Sequence, residues 1–530
     1  MAAGLIAYLI GLLMRIPLGR VIGDKGIGFF AAGMEIFIVS TIILSYGISR
    51  SVTVLIKYRI KREMYKSAGQ VFKNALFFVV LSGAAVSFGI FFFSPSIAQT
   101  VVLEDMSYLS IAAAAPAIFL ASVMGVLKGY FQGMGTMMPT VHSKLLEKFI
   151  MFPSSLILAA VLYAYGLKVA GLLKNKEYAS AYGAMGASLG LVVACVFGVL
   201  HLLFIYAVYA RTLKQQIGKD SLKYKESGVQ ILSVLISTSL PYMLCALLFN
   251  MNYLADQRIF NYVSNVKGQG ALRVLHWGVY YGKYSVVIGI AAILCTLSAI
   301  GTIPRIGQLF DRQEYSAVQG EMGKSIHRLA LLSIPCAIFL AVLAEPVAGI
   351  LFKGEIKTAV KLIQSGTAVI VLFAFTYFLA GVLQRIRKIK VVILAGLIAF
   401  LVHLISIFLL AANAGLGIMA VVCGNIIFYL ITCAVCFLGV MKYMKYSQEW
   451  IRSFAVTLIA AGITGLTGML LNKALLSFAG DVITLLVCVP VCLIVYNVLI
   501  ILLKGVRREE LEEMPGGKVI ASVAARFHFM

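Results

Sequence analysis

Apolar stretches about one membrane thick recur fourteen times along this chain, separated by short basic loops. A hydrocarbon core of ~30 Å needs roughly 20 apolar residues of helix. Stretches of that length run almost end to end, which leaves no room for a soluble domain of ordinary size. Charged residues are 12% of the chain and hydrophobic ones 61%, whereas a soluble domain is about 25% charged. The mean hydropathy of +0.98 overrides any division of the 530 residues into soluble domains.

The pattern places helices near residues 2–22, 28–48, 72–93, 107–127, 141–163, 184–209, 229–254, 275–303, 326–347, 362–384, 391–411, 415–440, 453–472 and 480–503. With both termini inside, 31 of the 45 lysines and arginines fall on inner loops and the tail, and 14 on the outer side. The bias holds in both halves, and a missed or split helix would invert it in the second. The net charge of +24 therefore follows the positive-inside rule. Its partner is the anionic lipid of the inner leaflet, not nucleic acid. The expected location is a bacterial cytoplasmic membrane, crossed many times. The first apolar stretch has no basic n-region and no A-x-A site after it, so it reads as helix 1 and not as a cleaved signal peptide.

Two short echoes suggest an internal repeat. Gly47-Ile48-Ser49-Arg50 ends helix 2, and Gly301-Thr302-Ile303-Pro304-Arg305 ends helix 8, with the glycines 254 residues apart. Gly129-Tyr130-Phe131-Gln132 ends helix 4, and Gly381-Val382-Leu383-Gln384 ends helix 10, at a spacing of 252. The reading is an all-α membrane protein of 14 transmembrane helices. Two six-helix lobes surround a central cavity and rock to give alternating access, and two helices are added at the C-terminus. The lobes are expected at 1–225 and 226–445, the added helices at 446–503 and a cytoplasmic tail at 504–530.

Arg15-Ile16-Pro17-Leu18-Gly19-Arg20-Val21-Ile22-Gly23, followed by Gly26-Ile27-Gly28, resembles the first helix and loop of the polysaccharide transporters. Leu127-Lys128-Gly129-Tyr130-Phe131-Gln132-Gly133 and Pro139-Thr140 resemble the link between helices 4 and 5 of the same family. These belong to the multidrug/oligosaccharidyl-lipid/polysaccharide exporter superfamily, and the likeness is to the stage V sporulation protein B group and the lipid II flippases. The resemblance covers the 14-helix plan, with its sharp motifs in the first 150 residues. It implies export of an undecaprenyl-diphosphate-linked saccharide, with glycosyltransferases or polymerases as protein partners and a monomer as the working form.

Five charged residues are candidate substrate contacts. Only fourteen residues precede Arg15, so helix 1 must run on past it to span, and Arg15 then lies ~10 Å inside the outer end. An arginine at that depth costs at least ~2.5 kcal/mol. It faces a wet cavity or snorkels to the headgroups, unless an upstream start lengthens the helix. Arg20 is nearer the interface and reads equally as a headgroup anchor. Lys283 interrupts the apolar run of helix 8 after Tyr280-Tyr281-Gly282. Lipid II flippases carry a basic residue after a similar start, usually Arg, and a lysine still binds diphosphate as a point charge. Arg15 and Lys283 are expected to face the cavity together. Glu35, a third of the way along helix 2, reads as an ion-pair partner of Arg15 or Arg20, a proton site or a sugar contact. Arg50 is expected to close helix 2 at the inner face.

Other polar residues read as structure. Glu147 and Lys148 open helix 5 as an interfacial pair, and His201 and His403 each find a hydrogen-bonding neighbour. Asn250, Asn252, Asn425 and Asn497 bond between helices. Cys433 and Cys436 sit in an apolar helix as packing. No P-loop, H-E-x-x-H or EF-hand sequence occurs, and no cofactor or metal is expected. The outer loops are short, the longest being around Asp256–Lys267–Arg273, which disfavours an enzyme acting on lipid-linked sugars. Helix 1 carries basic and no acidic charge, which favours an anionic substrate over the cationic drug of a cation-coupled exporter, the alternative reading.

Overall fold

The computed structural model describes residues 2–218, 227–413, 415–447, 449–476 and 480–506. Of the basic segments named above, residues 219–226 of the loop after helix 6 and 507–530 of the tail lie outside them. Among the described residues, thirteen helical stretches are long and apolar enough to cross a membrane. The first, Gly4–Ile60, has 57 residues, or roughly 85 Å of helix, too long for one crossing. It breaks at Gly23, whose backbone (φ 72°, ψ 174°) lies in a region open essentially to glycine alone. The break yields α1 (2–22) and α2 (24–60), and the spans number fourteen. The rest are α3 (Tyr65–Phe92), α4 (Asp105–Gly133), α5 (Met138–Leu172), α6 (Glu177–Tyr209), α7 (Gly228–Val266), α8 (Gly270–Asp311), α9 (Tyr315–Val342), α10 (Ala368–Arg385), α11 (Ile389–Ala412), α12 (Met419–Met444), α13 (Ile451–Leu475) and α14 (Gly480–Leu502). Large apolar side chains such as Phe77, Leu81, Phe88 and Phe92 point outward. A surface of that kind is soluble only in lipid. The protein is a multi-pass membrane protein.

Several helices outrun their apolar cores. α2 was expected to stop at Arg50 but runs on to Ile60, because basic side chains at an inner helix end are compatible with helix once it leaves the hydrocarbon. The stretch expected as the longest outer loop is also helical, with α7 continuing as Asn252–Val266 and α8 starting at Gly270. Here one face is polar and turned inward. Asp256, Gln257 and Asn261 are buried, while Tyr262 is exposed.

The repeat is visible in the turns. After α2, α4, α8 and α10 the chain reverses through a residue with positive φ: Glu63 (59°), Gly135 (95°), Gln313 (63°) and Arg387 (62°). Thr136 N–H donates to Phe131 O (3.1 Å) and Gly135 N–H to Gln132 O (3.1 Å); Lys388 N–H donates to Leu383 O (2.8 Å) and Arg387 N–H to Gln384 O (3.2 Å). This pairing is a Schellman cap. The turns at Glu63 and Gln313 repeat it, with Met64 N–H on Arg59 O and Glu314 N–H on Leu309 O. α3 and α9 are both 28 residues long. The turns at Gly135 and Arg387 lie 252 residues apart, the spacing of the Gly-x-x-Gln echoes, and those at Glu63 and Gln313 lie 250 apart.

Contacts group the chain into Met1–Val286 with Ile393–Gly424, and Val287–Val392 with Asn425–Met530. The lobes expected at 1–225 and 226–445 are a division by repeat and differ from this grouping by contact. In the first unit α1 packs on α4, α5, α6 and the start of α8. In the second, α13 and α14 pair and lean on α9, where Tyr496 donates to Leu331 O (2.9 Å) and Asn472 to Val342 O (3.1 Å).

Candidate functional site: a charged seam through helices 1, 2, 7, 8 and 11

Three glycines bring α8 against the start of α2. A Cβ on Gly278 would collide with Asp24 O, one on Gly28 with Val274 O, and one on Gly282 would press on Ile27 at 2.7 Å. Gly278-x-x-x-Gly282 is the small-residue spacing that lets membrane helices approach backbone to backbone. This contact sets Lys283 beside Asp24, with Nζ to Oδ2 at 2.8 Å.

Two residues after Gly278 the helix widens into a π turn, Tyr280–Tyr284. The Ser285 amide donates to Tyr280 O and not to Tyr281 O, its partner in a regular α turn. Tyr281 O is left to other donors and takes two. Arg15 Nη1 reaches it at 3.1 Å and Ser285 Oγ at 2.6 Å. Arg15 also donates to Ser285 Oγ (3.2 Å) and to the Tyr281 hydroxyl (2.9 Å), with its guanidinium 3.8 Å from the Tyr281 ring centroid. All its hydrogen-bond partners are neutral, and no carboxylate bonds it.

Arg15 and Lys283, expected to face a cavity together, instead meet at one turn of α8. They are 9% and 4% exposed and do not stand open. Asp24, Tyr281 and Ser285 complete the arrangement, and sequence reasoning missed all three. The available signals were the Gly-Asp pair ending α1 and the Gly-x-x-x-Gly spacing.

Glu35 is not ion-paired with Arg15. With the Gln257 amide oriented to satisfy both neighbours, its nitrogen donates to Glu35 Oε2 (2.9 Å) and its oxygen accepts from Trp277 Nε1 (3.2 Å). Glu35 Oε1 is buried with no hydrogen-bond partner among the described residues. Beside Gln257, Asp256 meets His403 at 2.7 Å, both fully buried. His403 therefore has its expected neighbour, while His201 Nε2 has no partner among the described residues. Glu35 lies eleven residues past Asp24, Asp256 ten before Val266 and His403 nine before Ala412. At 1.5 Å per residue all three sit roughly 14–16 Å from the outer helix ends.

The remaining candidates lie elsewhere. Arg20 is exposed at the end of α1. Arg50 is exposed ten residues before the end of α2, its guanidinium 5.5 Å from the Tyr242 ring centroid. Glu147 does not pair with Lys148: its carboxylate accepts from Lys128 on α4 (2.6 Å) and from Ser143 one turn earlier on α5 (2.8 Å). Asn250 and Asn497 bond their own helices, at Ala246 O and Leu493 O, so these two are not interhelical links.

The resemblance read from the residues holds. A family model described as polysaccharide biosynthesis protein matches residues 1–214. The chain is 24% identical to stage V sporulation protein B of Bacillus subtilis (strain 168), covering 97% of this chain and 96% of the relative. It is 21% identical to the lipid II flippase MurJ of the same organism, covering 76% and 74%. Among solved structures, the inward closed conformation of lipid II flippase MurJ superposes with a TM-score of 0.68, covering 94% of this chain and 96% of that one at 12% identity. That likeness establishes the fold.

Proposed function

We propose that this chain, built on the fold of the multidrug/oligosaccharidyl-lipid/polysaccharide exporters, flips an undecaprenyl-diphosphate-linked saccharide from the inner to the outer leaflet of a bacterial cytoplasmic membrane. Both termini are cytoplasmic in this reading, and the chain is a transporter and not an enzyme. The observation that carries it is Arg15, held deep in the helices by a carbonyl, a hydroxyl and a phenol, with no carboxylate on it. A desolvated charge kept without a counter-ion is costly, and such residues mark anion pathways. A diphosphate head supplies the missing charge.

Arg15, Arg20, Arg50 and Lys283 are the proposed substrate contacts, with Glu35 beside them. Lys283 starts from its bond to Asp24. A diphosphate must take Lys283 from Asp24, and doing so loosens α8 from α2 at the outer side. Substrate arrival and outer opening are then one event. Export of negative charge is favoured by an inside-negative potential, at about 2.3 kcal/mol per charge per 100 mV.

Purified protein in liposomes, with a fluorescent undecaprenyl-diphosphate saccharide or a cationic dye, tests this. The expected result is exposure of the lipid on the far leaflet, faster under an inside-negative potential, and no dye movement. Dye transport without lipid movement would overturn it in favour of a drug exporter.

A further inference from the structure

Lys148 on α5 was expected to form an interfacial pair with Glu147, and the structure shows no bond between them. Its carboxylate neighbour Glu147 is occupied by Lys128 and Ser143. The Lys148 ammonium is half-buried, and its hydrogen bond among the described residues goes to a thioether, Met151 Sδ at 3.5 Å. A thioether is a weak acceptor. The ammonium lies against α1 at Gly11, where its Nζ is 3.8 Å from the position a Cβ would take. Gly11 and Arg15 are four residues apart and share a face of α1.

Arg15 and Lys128 act electrostatically on Lys148, with Glu147 opposing them, and Lys128, Glu147 and Arg50 act likewise on Lys144. Five cations therefore line this run of the first unit, from deep in α1 to the inner part of α2, and Glu147 is the carboxylate facing them. Lys128 and Glu147 cancel one another. Lys144 and Arg50 are exposed, whereas buried Arg15 and half-buried Lys148 hold positive charge where an anion would relieve it.

We propose that Lys148 and Arg15 form a diphosphate-binding site on the inner side of α1, where the head of the lipid-linked saccharide rests before the Lys283–Asp24 bond opens. The proposal deepens the flippase reading and rests on it. Gly11 serves the site by leaving room for the lysine, and Glu147 is engaged by Lys128. The ligand chemistry is a diphosphate, from a lipid head or from free pyrophosphate.

The test is equilibrium binding to full-length protein in nanodiscs by thermophoresis, with undecaprenyl diphosphate, inorganic pyrophosphate and phosphatidylglycerol as probes. Wild type should bind undecaprenyl diphosphate, with pyrophosphate competing and phosphatidylglycerol not. Lys148→Ala should weaken binding ten- to hundredfold, Lys148→Arg by less than about threefold, and Gly11→Leu about tenfold by displacing the ammonium. Lys148→Met, which keeps the bulk, should bind as poorly as the alanine variant. Wild-type affinity in both Lys148→Ala and Lys148→Met overturns this site while leaving the flippase reading intact. A wild-type protein that ignores every diphosphate overturns both. Equal displacement by phosphatidylglycerol assigns the site to bulk lipid and overturns the proposal.

Discussion

The outer and inner parts of the first unit treat charge in opposite ways. Near the outer ends three basic groups close on a carboxylate, Lys283 on Asp24, Lys25 on Glu177 at 2.7 Å and Arg273 on Glu104 at 2.7 Å, while Arg258 and Lys267 donate to the carbonyls of Thr100 and Ala411. Further in, Lys128 still pairs with Glu147, but the hydrogen bonds of Arg15 and Lys148 go to neutral partners. Closed pairs hold helices together, and unopposed cations hold a place for an anion. The contrast teaches that the same residue type, a cation inside a membrane, is a latch in one region and a receptor in the other. Its role is decided by whether a carboxylate lies across from it.

Reversing the latch is the sharpest way to break this comparison. Lys283→Glu sets two carboxylates against each other in a buried contact, where losing one partner of an ion pair typically costs ~3–5 kcal/mol. Transport should fall at least a hundredfold, and Asp24→Lys in the same chain should restore much of it, as measured by lipid flipping in liposomes. If the double exchange restores nothing, Lys283 acts on substrate alone and is no latch.

A smaller effect concerns Glu104. Burial raises its pKa above the ordinary carboxylate range, and Arg273 opposes the shift. The folded form thus binds its proton more tightly than the unfolded form. Its stabilising contribution is complete below the ordinary carboxylate pKa and is lost as pH rises through the shifted value. The melting temperature in detergent should decline over that window in wild type and stay flatter in Glu104→Gln. Identical slopes would place the pH dependence elsewhere.

The fold was legible because hydropathy counts spans and the loop charges orient them. Even the repeat showed, because Gly-x-x-Gln marks the ends of α4 and α10, where the chain needs a Schellman turn. Helix ends were less legible. Arg50 looks like a terminus, yet α2 continues because leaving the hydrocarbon does not end a helix. The site was half legible: depth alone singled out Arg15, Lys283 and Glu35. Their partners were hidden, since Asp24 lies 259 residues from Lys283 and Asp256 lies 147 from His403. The swap of Glu147 from Lys148 to Lys128 was hidden for the same reason. Neighbours in sequence on a helix point apart, whereas Lys128 faces Glu147 from the next helix.

The account's central claim is that unopposed cations deep in the first unit carry the diphosphate. The most direct test is the rate of undecaprenyl-diphosphate saccharide flipping by an Arg15→Ala, Lys148→Ala double variant in liposomes, at matched protein content. Each lost charge-assisted contact should cost ~1.5–3 kcal/mol, so the account predicts a fall of more than a hundredfold with membrane insertion unchanged. Flipping at the wild-type rate by the well-inserted double variant would contradict it.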